Sequence, residues 1–69
     1  MEKFVIVMVP DDQNGSTKYW NGREMIDDQS ESFAYNNKAD ARQAMAGIVS
    51  VYSDYELSVR KATYALIIE

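Results

Sequence analysis

Lys3-Phe4-Val5-Ile6-Val7-Met8-Val9, the run KFVIVMV that stops at Pro10, decides how the rest of the chain is read. β-Branched residues dominate it, its length is that of a strand, and Pro10 lacks the N–H that a ladder would need next. Side chains alternate faces along a strand, so Phe4, Ile6 and Met8 share one face and Val5, Val7 and Val9 the other. Both sets are apolar. A strand of this kind is normally buried on both faces, and the remaining residues have to meet that demand.

Working outward, Asp11 to Ser16 is a loop by its turn chemistry. Thr17 to Trp20 and Arg23 to Ile26 flank Asn21-Gly22, two residues that tolerate the positive φ of a type I′ hairpin turn. Trp20 and Met25 then fall on one face of the hairpin, Tyr19 and Ile26 on the other. Asp27 to Glu31 is polar and turns again, and Phe33 to Tyr35 is a candidate short extra strand. A helix starts behind Asn37, whose side chain can cap a free N–H, with Asp40 at the third helical position where a carboxylate suits the dipole. Ala41, Ala44, Met45, Ile48, Val49 and Tyr52 follow helical spacing and form one apolar stripe. Gly47 weakens its middle, by about 1 kcal/mol against Ala, and close approach to the sheet is the simplest reason for it. The chain leaves the helix around Tyr52-Ser53-Asp54. Glu56 to Ile68 reads as one final strand, bent near Lys61-Ala62, with Tyr64, Leu66 and Ile68 opposing Thr63, Ala65 and Ile67.

The fold expected is α+β: a small, mostly antiparallel sheet of about four strands in the order β-β-β-α-β, with one helix packed on one face. The first and last strands are expected to pair near its centre. Residues 1–69 form a single domain, without internal repeat, linker or low-complexity tract. A chain this short buries only roughly 60% of its unfolded surface and gains about 3–5 kcal/mol of net stability from its core. Disulfides are excluded by the absence of Cys, and with no His either, structural zinc loses its usual ligands. Good packing or association remains, and no cofactor is expected.

Eleven acidic against seven basic side chains give a formal net charge of −4. Nucleic-acid backbones are bound by releasing counterions to positive charge, and Lys18, Arg23, Arg60 and Lys61 make at most a small patch, so direct nucleic-acid binding is not expected. The first apolar run is too short to span a membrane and no cleavage site follows it, which sets the expectation of a cytoplasmic protein. Asn14-Gly15-Ser16 fits a glycosylation acceptor without the secretory signal it needs.

Catalysis finds little support. There is no imidazole to act as a base near neutral pH and no thiol. Asp11 with Asp12 and Asp27 with Asp28 are adjacent loop pairs, not the opposed carboxylates that acid and base require. Asp12-Gln13-Asn14-Gly15 lacks the later ligands of a calcium loop, and Gly15, Gly22 and Gly47 are too scattered to cradle phosphate.

Binding fits better. One helix covers one face of a sheet, and an apolar second face left in water marks an interaction surface. A protein partner or a homodimer is therefore expected, with Tyr19, Trp20 and Met25 of the hairpin as contacts and Trp20 as anchor. Asp27, Asp28 and Glu31 form the charged rim. The same acids, with Asp11 and Asp12, also allow a negative face that imitates a phosphate backbone.

The run Lys18-Tyr19-Trp20-Asn21-Gly22, an acidic turn, and then Tyr35-Asn36-Asn37-Lys38-Ala39-Asp40-Ala41 resembles a pattern in small phage and mobile-element proteins. There an aromatic hairpin precedes a capped helix. The size, acidity and sheet-plus-helix build are similar to those of several anti-CRISPR proteins. The resemblance spans the central third to half of the chain and implies an inhibitor of a host defence complex; it designates no active residue.

Overall fold

The strands are β1 (Lys3–Val9), β2 (Lys18–Trp20), β3 (Met25–Ile26), β4 (Glu56–Thr63) and β5 (Ile67–Ile68), with the helix α1 (Lys38–Ile48) between β3 and β4. A computed structural model of the chain describes residues 2–9, 17–53, 55–63 and 67–68. The strands form one antiparallel sheet in the order β3-β2-β1-β4-β5. β1 and β4 pair along the whole of β1, from Lys3 opposite Ala62 to Val9 opposite Glu56. The strand with the greatest apolar demand thus lies where a neighbour flanks each edge. This is the expected α+β fold, with the first and last long strands paired at its centre.

The final strand is not single. β4 ends at Thr63, and β5 turns back on it with Thr63 opposite Ile67 and Ala62 opposite Ile68. The sequence reads straight through because Tyr64-Ala65-Leu66 carries no Gly, Pro, Asn or Asp to mark a reversal; these three, like the loop 11–16, lie outside the described residues.

The hairpin also departs from its expected turn. Trp20 pairs with Met25 and Tyr19 with Ile26, so the faces are as read, but the loop runs from Asn21 to Glu24. Asn21 Oδ1 accepts from the N–H groups of both Arg23 and Glu24 at 2.8 Å, and Asn21 N donates to the Glu24 carbonyl at 3.1 Å. An Asn side chain that bonds the backbone two residues on replaces the tight type I′ turn. Of the described glycines, Gly22 alone takes positive φ, at 97°.

Beyond the hairpin, Asp28 caps a 3-10 turn at Gln29–Glu31. The chain then rejoins the line of β2: Phe33 N donates to Trp20 O at 2.8 Å, while Tyr35 and Phe4 exchange both backbone bonds at 2.7 and 2.9 Å. The segment 33–35 thus extends β2 along the lower half of β1 and supplies the short extra strand as a bridge. Residues 21–32 are a polar arm looped out of it.

At α1 the cap is as read. Asn37 Oδ1 accepts from Asp40 N at 2.8 Å, and Asn37 Nδ2 donates to Asp40 Oδ2 at 3.1 Å. The helix ends at Ile48, a turn earlier than expected, and turns continue to Ser53. Ala41 is buried and Ala44, Met45, Ile48 and Tyr52 are half-buried, but Val49 stands exposed. Gly47 does not approach the sheet: a Cβ there would meet nothing within 4 Å. From 33–35 the chain crosses through α1 to β4, two parallel lines either side of β1, and a right-handed crossover sets α1 over Phe4, Ile6 and Met8.

The opposite face of β1 is not bare, contrary to the expectation that one side would await a partner. Val5 is 0% and Val7 4% exposed; they cluster with Ala62, and Tyr19 and Ala34 pack against them. Ile6, on the helix side, is also 0% exposed. A single chain therefore satisfies both faces at the middle of its most apolar strand. Among the described residues, no helix is long and apolar enough to cross a membrane.

Candidate functional site

Strand alternation separates the hairpin contacts that the sequence grouped together. Tyr19 lies opposite Val7, on the Val5 face, and packs into that cluster. Trp20 and its cross-strand partner Met25 lie on the other face, both half-buried. The indole Nε1 of Trp20 donates to the Tyr35 hydroxyl at 3.2 Å, which ties the ring to the segment that resumes β2. Trp20 thus ties two parts of the sheet together.

The acids divide as well. Asp27 pairs with Lys18 at 2.6 Å, both ends exposed, an ion pair of the kind worth about 0–1 kcal/mol. Asp28 Oδ1 accepts from the Ser30 hydroxyl at 2.7 Å and from Ser30 N at 3.0 Å. These bonds, the hydroxyl one first, hold the Asp28 carboxyl below the usual aspartate range. Glu31 is exposed. Of the three rim acids, one is neutralised and one is committed to a cap, while Asp11 and Asp12 lie outside the described residues. Two basic side chains of β4 are also engaged: Lys61 pairs with Glu2 at 2.8 Å, and Arg60 Nε donates to Ser58 Oγ at 3.3 Å. Among the described residues, no three His, Cys, Asp or Glu are grouped to hold a metal ion.

Two other surfaces stand out. The first is the end of the molecule where α1 runs out and β4 begins. Val49, Val51 and Tyr55 lie in the connection between them, and Val9 is the last residue of β1, opposite Glu56. All four are exposed, Val51 by 72%. The sequence hid this surface because Val49 and Tyr52 fit the helical stripe, and nothing in the pattern places the helix end at Ile48.

The second is a cleft of about 480 Å³ lined by Phe33, Ala34, Tyr35, Asn36, Asp40, Gln43 and Ala44. The 33–36 segment forms one wall and the first two turns of α1 the other. The Phe33 and Tyr35 rings lie 4.7 Å apart at 55°, and Phe33 is half-exposed. Gly22 backs this wall: a Cβ there would come within 3.2 Å of Phe33 Cδ2. Asn36 Oδ1 accepts from Lys3 Nζ, which fixes the lower end of the segment to β1. No sequence signal marks the cleft, since its walls meet only when 33–35 docks on β1 and sends α1 back alongside.

In comparison with known proteins, no family model matches the chain, and no curated protein or solved structure matches it.

Proposed function

We propose that this protein is a non-enzymatic protein-binding module whose contact surface is the end of the molecule that carries Val9, Val49, Val51 and Tyr55. The carrying observation is the concentration of exposed apolar side chains there: of the large apolar residues exposed among the described part of the chain, only Phe33 lies elsewhere. Scattered apolar residues on a surface need no explanation, whereas several gathered at one end of the fold support an interaction site. Tyr55 adds an amphipathic ring of the kind enriched at interfaces. In the setting that the likeness to anti-CRISPR proteins implies, the module occupies a surface of a host defence complex and blocks it. The hairpin is the scaffold behind the contact in this reading.

The test pairs the wild-type chain with Val51→Asp, a change at a side chain exposed enough to leave folding within about ±0.5 kcal/mol. Proteins crosslinked to each in host cells are quantified by mass spectrometry, and the mass of each in solution is measured by sedimentation. The expected result is a specific protein retained by the wild type and lost by the variant. Self-association abolished by Val51→Asp makes the same surface a homodimer contact. A monomer whose crosslinked set is unchanged by the substitution rejects the reading.

A further inference from the structure

The segment 33–35 has a paired edge and an unpaired one. In an extended strand, the N–H and C=O of successive residues point to opposite edges. Tyr35 directs both groups at Phe4, and Phe33 directs its N–H at Trp20 O, so both face inward along the β1–β2 line. Ala34, between them, turns its N–H and C=O the other way. Among the described residues, neither group has a hydrogen-bond partner. Ala34 is also among the residues lining the cleft, with Asp40, Gln43 and Ala44 of α1 across from it.

An unpaired strand edge facing a helix across an open groove is the arrangement that takes an extended peptide by strand addition. The edge supplies main-chain hydrogen bonds, and the groove walls select side chains. Here the walls carry two aromatic faces and a carboxylate. One Asp40 oxygen accepts from Asn37 Nδ2, and the other has no partner among the described residues. Aromatic rings and a carboxylate together attract a cation, and the net charge of −4 favours the approach of a basic segment. We infer that the cleft between the Ala34 edge and α1 binds an extended, basic peptide segment of a partner protein, which adds as a strand beside Ala34. The inference stands apart from the apolar end of the molecule, which contributes no residue to the cleft.

The probe is an acetylated, amidated heptapeptide of alternating lysine and valine, titrated into the intact chain while Trp20 emission and backbone amide NMR shifts are followed. Trp20 reports because its indole is bonded to Tyr35, a wall of the cleft. The Ala34 amide is expected to show the largest shift and to gain protection from hydrogen exchange. Methylating single peptide nitrogens should weaken binding about tenfold at every second position and leave the positions between within about twofold, because strand bonds alternate. A glutamate-for-lysine peptide should bind about tenfold more weakly, and Asp40→Asn should shrink that preference to about threefold or less. Absence of binding up to about 1 mM, shifts centred away from residues 33–44, or methylation effects without alternation overturn the inference. Equal affinity for the lysine and glutamate peptides overturns its basic character. Ala34→Pro removes the edge donor and should abolish binding; if that variant fails to fold, exchange at the wild-type Ala34 amide decides the question. Val51→Asp should bind the peptide as the wild type does, so failure at one surface is distinguishable from failure at the other.

Discussion

The centre of β1 and the arm from Asn21 to Ser32 are held by different physics. Val5, Ile6, Val7 and Met8 are all buried, two on each face, and their only polar groups are those of the backbone ladder. In the arm, Ser32 alone is buried. Outside β3, which pairs with β2, its shape is written by side chains that bond the backbone: Asn21 closes the loop, Asp28 caps the 3-10 turn, and the Ser32 hydroxyl donates to Gln29 O at 2.7 Å. Burial is non-directional and grows with apolar area, whereas these bonds act only in one geometry and compete with water. The strand should therefore govern whether the chain folds, and the arm should govern only its own form.

Truncating Ile6 to Ala attacks the first region. A fully buried Ile loses about 2–5 kcal/mol on this change, through lost transfer energy and the cavity left behind. A core this small supplies about 3–5 kcal/mol in all, so Ile6→Ala should leave little or no folded protein in a urea titration followed by circular dichroism. A loss below about 1 kcal/mol would place the stability elsewhere and dissolve the contrast with the arm.

Why β1 was legible and the arm was not follows from the same contrast. Apolar periodicity announces burial, so the KFVIVMV run, its central position and the stripe through Ala41, Met45 and Ile48 can be read from spacing. The cap at Asn37 can be read because its bonds are local. Arm geometry depends on which of several competing side-chain bonds forms: Asn21-Gly22 carries the signature of a two-residue turn, yet Asn21 uses its side chain for a longer one. Tyr64-Ala65-Leu66, between β4 and β5 in the sequence, carries no turn residue at all. What covers Val5 and Val7 escaped for another reason. Alternation shows that a face needs cover, not what covers it, and Tyr19 and Ala34 come from distant segments. The cleft and the apolar end are likewise products of tertiary placement, so their residues carry no local mark.

Two of the three glycines sharpen the contrast, each with one substitution. At Gly22, in the arm, φ is 97° and an added Cβ would stand 3.2 Å from Phe33 Cδ2. Gly22→Ala should cost about 1–2 kcal/mol for the left-handed backbone alone. Circular dichroism should show α1 unchanged, while the tilted Phe33–Tyr35 pair, and with it the cleft wall, shifts. At Gly47 the backbone is helical and the space is open. Gly47→Ala should raise stability by about 0.5–1 kcal/mol, since Ala loses less chain entropy in a helix. Urea midpoints for the pair should move in opposite directions. Equal losses would mean that Gly47 serves a contact that its open surroundings do not show.

The smallest effect separates the arm from the surface ion pairs. The Asp28 carboxyl is held low by neutral donors, chiefly the Ser30 hydroxyl and then the Ser30 N–H. That of Glu2 is held low by Lys61, through its hydrogen bond and its charge. For each group the folded state binds its proton less readily than the unfolded chain does. Its contribution to stability is therefore complete above the ordinary carboxylate range and is lost as pH falls through the lower folded value. Salt tells the two apart. At about 1 M the screening length is about 3 Å, which weakens attraction between exposed charges and leaves hydrogen bonds from a hydroxyl or an amide largely intact. In a carboxyl NMR titration, added salt should move the Glu2 midpoint back toward that of an unperturbed glutamate and leave the Asp28 midpoint in place. Ser30→Ala should raise the Asp28 midpoint at any salt concentration, because it removes the largest cause. If salt moved both midpoints alike, Asp28 would be responding to charge rather than to its cap, and the arm would be one more solvated ionic surface with no built geometry of its own.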